Sequence, residues 1–443
     1  MGVKVAKFGG TSVADAIQLE KVKNIVLSDP ERRYVVVSAP GKRYQEDNKV
    51  TDLLYLVKTH IEHNVPYDQV FQVIADRFTS IAANLRVDVH KIMEELDQIK
   101  SNLKENVTAD YIASRGEYLT AMIMAEYLGF DFVDTAGLVL FDKKGRYLDE
   151  ETNKVLSEEL AKHEHAVIPG FYGTTPDGAI KTFSRGGSDI TGSLVARAVN
   201  ATMYENWTDV SGFMMADPRI IKNPKPIKTI TYKELRELSY MGASVLHEDA
   251  VFPVRAADIP INIRNTNEPE HEGTIILAQA PVEPGSVITG VAGRKDFTVI
   301  AIYKNMMNAE VGFVKKVLSV LEDYNISFEH LPSGIDTLSV IIHSKRLENI
   351  REELLEDIRR RTQPDTMEVY DDMALIATVG NGMAKKPGVS ATLFTALYHA
   401  GVNVRMIDQG SSEMNIIVGV ENSNFAAAIR AIYSAFVEDA VTV

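Results

Sequence analysis

Several short runs gather residue types that bind and move small anionic groups. The first is Lys7-Phe8-Gly9-Gly10-Thr11-Ser12. A diglycine after an apolar stretch lets backbone approach a ligand closely, and a following helix start offers free N–H donors. Lys7 adds a point charge. The combination suits a phosphate, and it equally suits a tight turn with an incidental lysine. A second run, Ser184-Arg185-Gly186-Gly187-Ser188-Asp189, repeats the glycine logic and adds a guanidinium shaped for a carboxylate. Asp189 could cap the helix that follows. In a third, Ser114-Arg115-Gly116-Glu117, the glutamate could grip an ammonium group or complement the dipole of a helix starting there. The fourth, Trp207-Thr208-Asp209-Val210-Ser211-Gly212 with Asp217-Pro218-Arg219, sets a polar pair just beyond an apolar stretch. Ligands collect at that end of a parallel sheet. Trp207, the single tryptophan, reads as core.

Other chemistries are excluded. No GxxxxGK[ST] loop exists, and Gly380-Asn381-Gly382 has Lys385 where a dinucleotide fingerprint needs glycine. There is no GxSxG elbow. Histidines are scattered; His60 and His63 share a helix without an acidic partner and read as a solvated face. The absence of cysteine removes disulfides, thiolate metal sites and cysteine nucleophiles, and no residue set suggests a protein-held metal.

The elements that must hold these runs alternate. Apolar stretches at Val3–Phe8, Tyr34–Ser38, Phe132–Thr135, Ala166–Pro169 and Thr202–Trp207 read as strands. Helical patterns fall at Asp15–Leu27, Asp52–His63, Pro66–Glu105, near Gly116–Leu128 and at Asp189–Val199. The β-branched run in Tyr34–Ser38, without alternation, suits a strand buried on both faces. The expectation is an α/β domain with a mainly parallel sheet. A charged loop spans Gly41–Val50, and Ala278–Ser286 reads as a linker. Beyond it the chain repeats itself: Gly312 and Gly388 are 76 residues apart, as are Gly334 and Gly410. Each copy has a βαββ-type pattern with a closing helix, so two small α+β modules are expected, either as stable mass or as a pair that binds a small effector.

The 443 residues suit about three domains, with 45% hydrophobic and 24% charged residues. No apolar run is long enough for a membrane helix. Lys4 and Lys7 interrupt any N-terminal apolar stretch, so no signal peptide is expected and the cytoplasm is the expected compartment. The net charge of −14 argues against nucleic acid and anionic membrane as partners.

Together and in this order, KFGGTS, SRGE, SRGGSD, WTDVSG with DPR, and the repeated C-terminal modules closely resemble aspartate kinase, across essentially the whole chain. The resemblance implies an amino-acid-kinase fold, an α/β/α sandwich over 1–285. Two ferredoxin-like ACT domains follow, at 286–372 and 373–443; in this family one is often inserted in the other. It implies transfer of a phosphoryl group from MgATP (cofactors ATP and Mg2+) to the β-carboxylate of L-aspartate. Lys7 with Gly9 and Gly10 would hold the transferring group, and Asp189 would orient Lys7. Ser38, Thr51 and Ser188 would line the amino-acid pocket. Glu117 would take the ammonium and Arg185 a carboxylate. Thr208, Asp209 and Arg219 would contact the nucleotide. A lysine or threonine effector would meet Met307, Gly312, Phe313 and Glu329, and a homodimer would form through the ACT domains. At 443 residues, no fused homoserine dehydrogenase is expected. Two departures stand out: Phe213-Met214-Met215 replaces a tyrosine near the adenine, and Ser244 replaces the lysine of a GAKVLH motif. The rival readings are another kinase of the same fold, acting on glutamate, carbamate or uridylate, and a non-catalytic amino-acid sensor.

Overall fold

The computed structural model describes residues 2–184, 186–242, 251–280 and 286–438. The described residues form two compact units. The first holds 2–184, 186–213, 226–232 and 251–280; the second holds 214–225, 233–242 and 286–438.

In the first unit the chain runs β1 (Lys4–Phe8), α1 (Ala16–Leu27), β2 (Arg32–Val37), α2 (Val50–Glu62), α3 (Asp68–Leu85), α4 (Val89–Ser101) and α5 (Ala109–Leu128). It continues through β3 (Asp131–Phe132), α6 (Asp149–Leu160), β4 (Ala166–Pro169), the hairpin β5 (Tyr172–Thr174) and β6 (Ile180–Thr182), α7 (Gly187–Ala198) and β7 (Met203–Thr208). After these come β8 (Thr229–Thr231), α8 (Tyr232–Tyr240), α9 (Phe252–Ala256), β9 (Ile261–Asn265) and β10 (Thr274–Leu277). Most of α8 belongs to the second unit. The sheet order is β3-β4-β2-β1-β7-β9-β10-β8. Every pairing is parallel except β9 with β10. Among the described residues no helix is long and apolar enough to cross a membrane.

The central strands are buried on both faces, as their apolar runs require. Alternation then divides β1. Lys7 faces α7, where it meets Asp189. Phe8 faces the other way and stacks on Trp207, whose ring centroid is 5.9 Å distant. Trp207 is core, as its isolation in the sequence suggested.

Two helical expectations change. The period across 66–105 is broken at Arg86, whose φ of 59° ends α3, and Asp88 caps α4 through His90 N at 2.9 Å. Helix α5 begins seven residues earlier than its apolar pattern indicates. Thr108 caps it, its hydroxyl accepting from Tyr111 N at 3.1 Å. Glu117 therefore sits in mid-helix, and the dipole role open to it at a helix start does not apply. The strand expected at Phe132–Thr135 shrinks to β3, because Asp134 turns the chain through Ala136 N at 3.0 Å.

The second unit is built on one antiparallel sheet, ordered β12-β11-β13-β15-β14. Its elements are β11 (Gly290–Tyr303), α10 (Phe313–Asp323), β12 (Thr337–His343), α11 (Arg351–Thr362), β13 (Thr366–Val379), α12 (Val389–His399), β14 (Met406–Asp408), β15 (Asn415–Glu421) and α13 (Phe425–Tyr433). The 76-residue repeat is visible in the backbone: Gly312 and Gly388 precede α10 and α12 with φ of 85° and 90°. That left-handed conformation favours glycine. Strands β11 and β13 have 14 residues each and run through both modules. One core collects Ile300, Ile302, Val317, Val340 and Ile358. The other collects Ile288 and Val291 with Ala374, Leu393, Val418 and Ile429.

The linear boundary at 372/373 is thereby corrected. Residues 286–294 complete the module that the sequence reading began at 373, so one module is inserted in the other. The boundary at 285 changes too. Ala216 and Ile221 join that same core. Lys225 N donates to Tyr433 Oη at 2.9 Å, and Glu234 accepts from Thr289 Oγ1 at 2.6 Å. These bonds draw 214–225 and 233–242 into the second unit.

Candidate active site

Chain direction away from β1 reverses between β2 on one side and β7 on the other, so a crevice opens at the carboxyl ends of β1 and β7. Gly9 N donates to Trp207 O at 3.0 Å, closing the floor between the two strands. Gly10 O accepts from Gly41 N at 2.8 Å. A Cβ on Gly41 would lie 2.7 Å from Gly10 C, and one on Gly10 would lie 3.0 Å from Ala39 O. The loops after β1 and β2 thus lie directly on each other, and glycine is needed for closeness. The φ of Gly9 is −73°, which any residue adopts.

Lys7 is 6% exposed, and its Nζ lies 2.5 Å from Asp189 Oδ1. Asp189 is not the cap of α7. Gly186 takes that place with a φ of 59°, leaving the carboxylate free for Lys7. Ser188 is buried beside Gly170, where a Cβ would come within 2.6 Å of the serine Cβ. Glu117 is 5% exposed, and it accepts the Ala39 N–H. Its Oε2 has no partner among the described residues. Burial pushes its carboxyl up to about 8, against the opposing pull of that N–H, Arg115 and Lys7. Arg115 packs on the rings of Tyr111, Tyr118 and Tyr172, 4.8, 4.5 and 5.4 Å from their centroids.

Ser38 follows β2 half-buried, its N donating to Phe8 O at 3.2 Å. Thr51 is half-buried in the first turn of α2. The loop before it is fastened by Asp47, which pairs with Arg43 at 2.8 Å and Arg77 at 2.9 Å. Those bonds, Arg43's first, hold the Asp47 carboxyl well below the usual range. Thr208 ends β7, its hydroxyl donating to the exposed Asp209 at 3.2 Å.

Not every expected residue joins this group. Arg219 belongs to the second unit, where its 87% exposed side chain pairs with Asp217 at 2.6 Å. Arg185 and Ser244 lie outside the described residues. In the second unit the side chains of Met307 and Phe313 are core, leaving only backbone for a ligand. Gly312 precedes α10, and Glu329 accepts a hydrogen bond from Tyr240 Oη.

Several site-building residues escaped the sequence reading. Asn206 Nδ2 donates to Asp189 Oδ1 at 2.8 Å, and Ser12 bonds Thr266 across 2.7 Å beneath the diglycine turn. Asn206 left one signal, a polar amide inside a buried strand. Thr266 and the Asp47–Arg77 pair left none.

A lysine–carboxylate pair beside a glycine turn can neutralise a transferring phosphoryl group, and a buried carboxyl with one oxygen unpartnered can seat a cation. The comparisons name the chemistry. Residues 2–265 match the amino acid kinase family and residues 376–436 an ACT domain. The chain is 37% identical to aspartokinase 3 of Bacillus subtilis (strain 168), over 98% of each chain. This chain belongs to the aspartokinase family. The crystal structure of Clostridium acetobutylicum aspartate kinase is 51% identical, with a TM-score of 0.92, covering 98% of this chain and 100% of that one. E. coli aspartokinase III has been solved with aspartate and ADP (25% identity, TM-score 0.74) and with lysine and aspartate (26%, 0.77). Each comparison covers 98% of this chain and 99% of the other. The chain is thus an aspartate kinase, a phosphotransferase with a carboxyl group as acceptor.

Proposed function

We propose that this aspartokinase transfers the γ-phosphoryl group of ATP to the β-carboxylate of L-aspartate, giving 4-phospho-L-aspartate at the head of lysine, threonine and methionine biosynthesis. The observation that carries the reading is the Lys7–Asp189 pair in the β1/β7 crevice, with the buried Glu117 carboxyl, whose Oε2 has no partner among the described residues, within electrostatic reach of Lys7. An aspartate side chain has a pKa of about 3.9, so the nucleophile is already ionised and needs no base. Its oxygen attacks Pγ, the bond from Pγ to the bridging oxygen breaks, and ADP leaves with the electron pair. The protein holds two anions in line and neutralises charge on the moving group. Lys7 and the amide of Gly10 serve that end, with Gly9 holding the turn against Trp207 O, and Asp189 fixes Lys7. Glu117 takes the substrate ammonium and Arg185 a carboxylate, with Ser38, Thr51 and Ser188 lining the pocket. Thr208 and Asp209 serve the nucleotide. Among the described residues no three His, Asp or Glu side chains cluster as a metal cage. Magnesium suits the nucleotide's phosphates, since it keeps its waters and takes few protein ligands.

A hydroxamate assay tests the substrate. Acyl phosphate should form with L-aspartate far faster than with L-glutamate, and equal rates would overturn the assignment.

The second unit is read as the regulatory half, in a cytoplasmic homodimer paired through its modules. Lysine, threonine or both are the proposed effectors, with lysine favoured because Glu329 is anionic and E. coli aspartokinase III has been solved with lysine. An effector ammonium would replace the Tyr240 hydroxyl at Glu329 while the loop amides near Gly312 take the carboxylate. An effector inhibits by binding the inactive state more tightly. Activity across millimolar lysine and threonine should fall in the wild type and resist in Glu329→Ala. A rate and melting temperature unmoved by either amino acid would dismiss both effectors.

A further inference from the structure

Asp189 meets Lys7 through Oδ1, and that same oxygen takes a second bond, from Asn206 Nδ2 at 2.8 Å. Asn206 is 4% exposed, in the middle of β7. An amide there costs free energy unless its groups are bonded, so a strand built for packing alone would carry an apolar residue. Its register is informative. Lys7 and Asn206 are partners in the β1/β7 ladder, so both point to the sheet face that α7 covers. Two residues earlier on the same face, Tyr204 Oη donates to the Asp189 carbonyl at 3.1 Å. Gly192 makes room for it: a Cβ there would lie 2.5 Å from the phenol oxygen. Strand β7 therefore grips Asp189 twice, by its backbone and by its carboxylate.

We infer that Asn206 is a positioning residue for phosphoryl transfer, fixing the Asp189 carboxylate so that it holds Lys7 Nζ at the crevice. The inference rests on the roles given above to Lys7 and Asp189. A carboxylate with one bonded oxygen rotates about its last torsion between near-equivalent settings. A second, directional donor on Oδ1 selects one of them. Lys7 ends a flexible four-carbon stem, so its placement is only as good as its partner's. Positional errors at the reacting centre are costly in rate without being costly in binding.

A double-mutant cycle on the full-length enzyme separates this from a structural role. Asn206→Leu should lower kcat about tenfold, with KM for aspartate and for ATP unchanged within about twofold. In an Asp189→Asn background the same change should cost less than about twofold, because the group Asn206 acts through is already lost. An equal factor in both backgrounds would mean that Asn206 only supports the strand, and the inference fails. Wild-type kcat in Asn206→Leu overturns it as well. Wild-type kcat in Asp189→Asn alone overturns the role of Asp189, and the inference with it. Asn206→Ala, which leaves space for water, carries the same cycle if the leucine variant does not fold, with melting temperatures measured for all.

Discussion

Lys7→Ala is expected to lower kcat by about 10²–10³, or roughly 3 kcal/mol, the loss typical of one preorganised donor aimed at developing charge. The affinity for aspartate should change much less. Lys7 is almost fully enclosed and held by Asp189. Its charge therefore needs no reorganisation when the phosphoryl group arrives, and it acts where water is scarce. Lys7→Arg should not rescue the loss. The guanidinium is longer and planar, and the 2.5 Å contact with Asp189 leaves no room for it. Steady-state kcat and KM decide the matter, with the melting temperature as a control for folding. A variant turning over near the wild-type rate would leave the diglycine turn as a purely structural device.

The parts of this site carried by buried parallel strands were legible in the sequence. Strands β1, β2, β4 and β7 read as short apolar runs because both their faces are covered, and the polar residues at their ends mark the crevice. Lys7, Thr208 and the glycines could be located for that reason. What was not legible depends on contacts between distant residues. Asp47 and Arg77 are 30 positions apart, and nothing local in either segment announces the pair. The start of α5 is hidden because Asp110, Ser114 and Arg115 interrupt its apolar period, and its only local mark is the capping threonine, Thr108. The repeat disclosed two modules but not how they interlock. A 76-residue offset matches equivalent residues; it does not say which strand closes which core, and Ile288 and Val291 close the one that lies farther along the chain.

Glu117 should make aspartate binding strongly pH-dependent. Its carboxyl is enclosed, one oxygen has no partner among the described residues, and burial raises its pKa to about 8. The charged groups pulling the other way are Arg115, engaged with three tyrosines, and Lys7, engaged with Asp189. At pH 7 the acid is therefore about nine-tenths protonated, whereas an ammonium group is best received by the carboxylate. Aspartate binding should release close to one proton at pH 7, and its apparent Kd should fall nearly tenfold per pH unit between 6 and 7 and level off above about 8. Calorimetry in two buffers of different ionisation enthalpy counts the protons directly. The same shift has the opposite sign for stability. Below the ordinary value of 4.5 the group is protonated whether folded or unfolded; as pH rises toward about 8 the unfolded chain ionises and the buried carboxyl does not. Its contribution to stability therefore declines through that window and is constant above it. Glu117→Gln removes both effects at once. The empty variant should melt higher than the wild type by a margin that widens from pH 5 to 8, while aspartate affinity drops and loses its pH dependence. A wild-type Kd that is flat from pH 6 to 8, with no proton released, would show that Glu117 does not receive the ammonium group, whatever its burial.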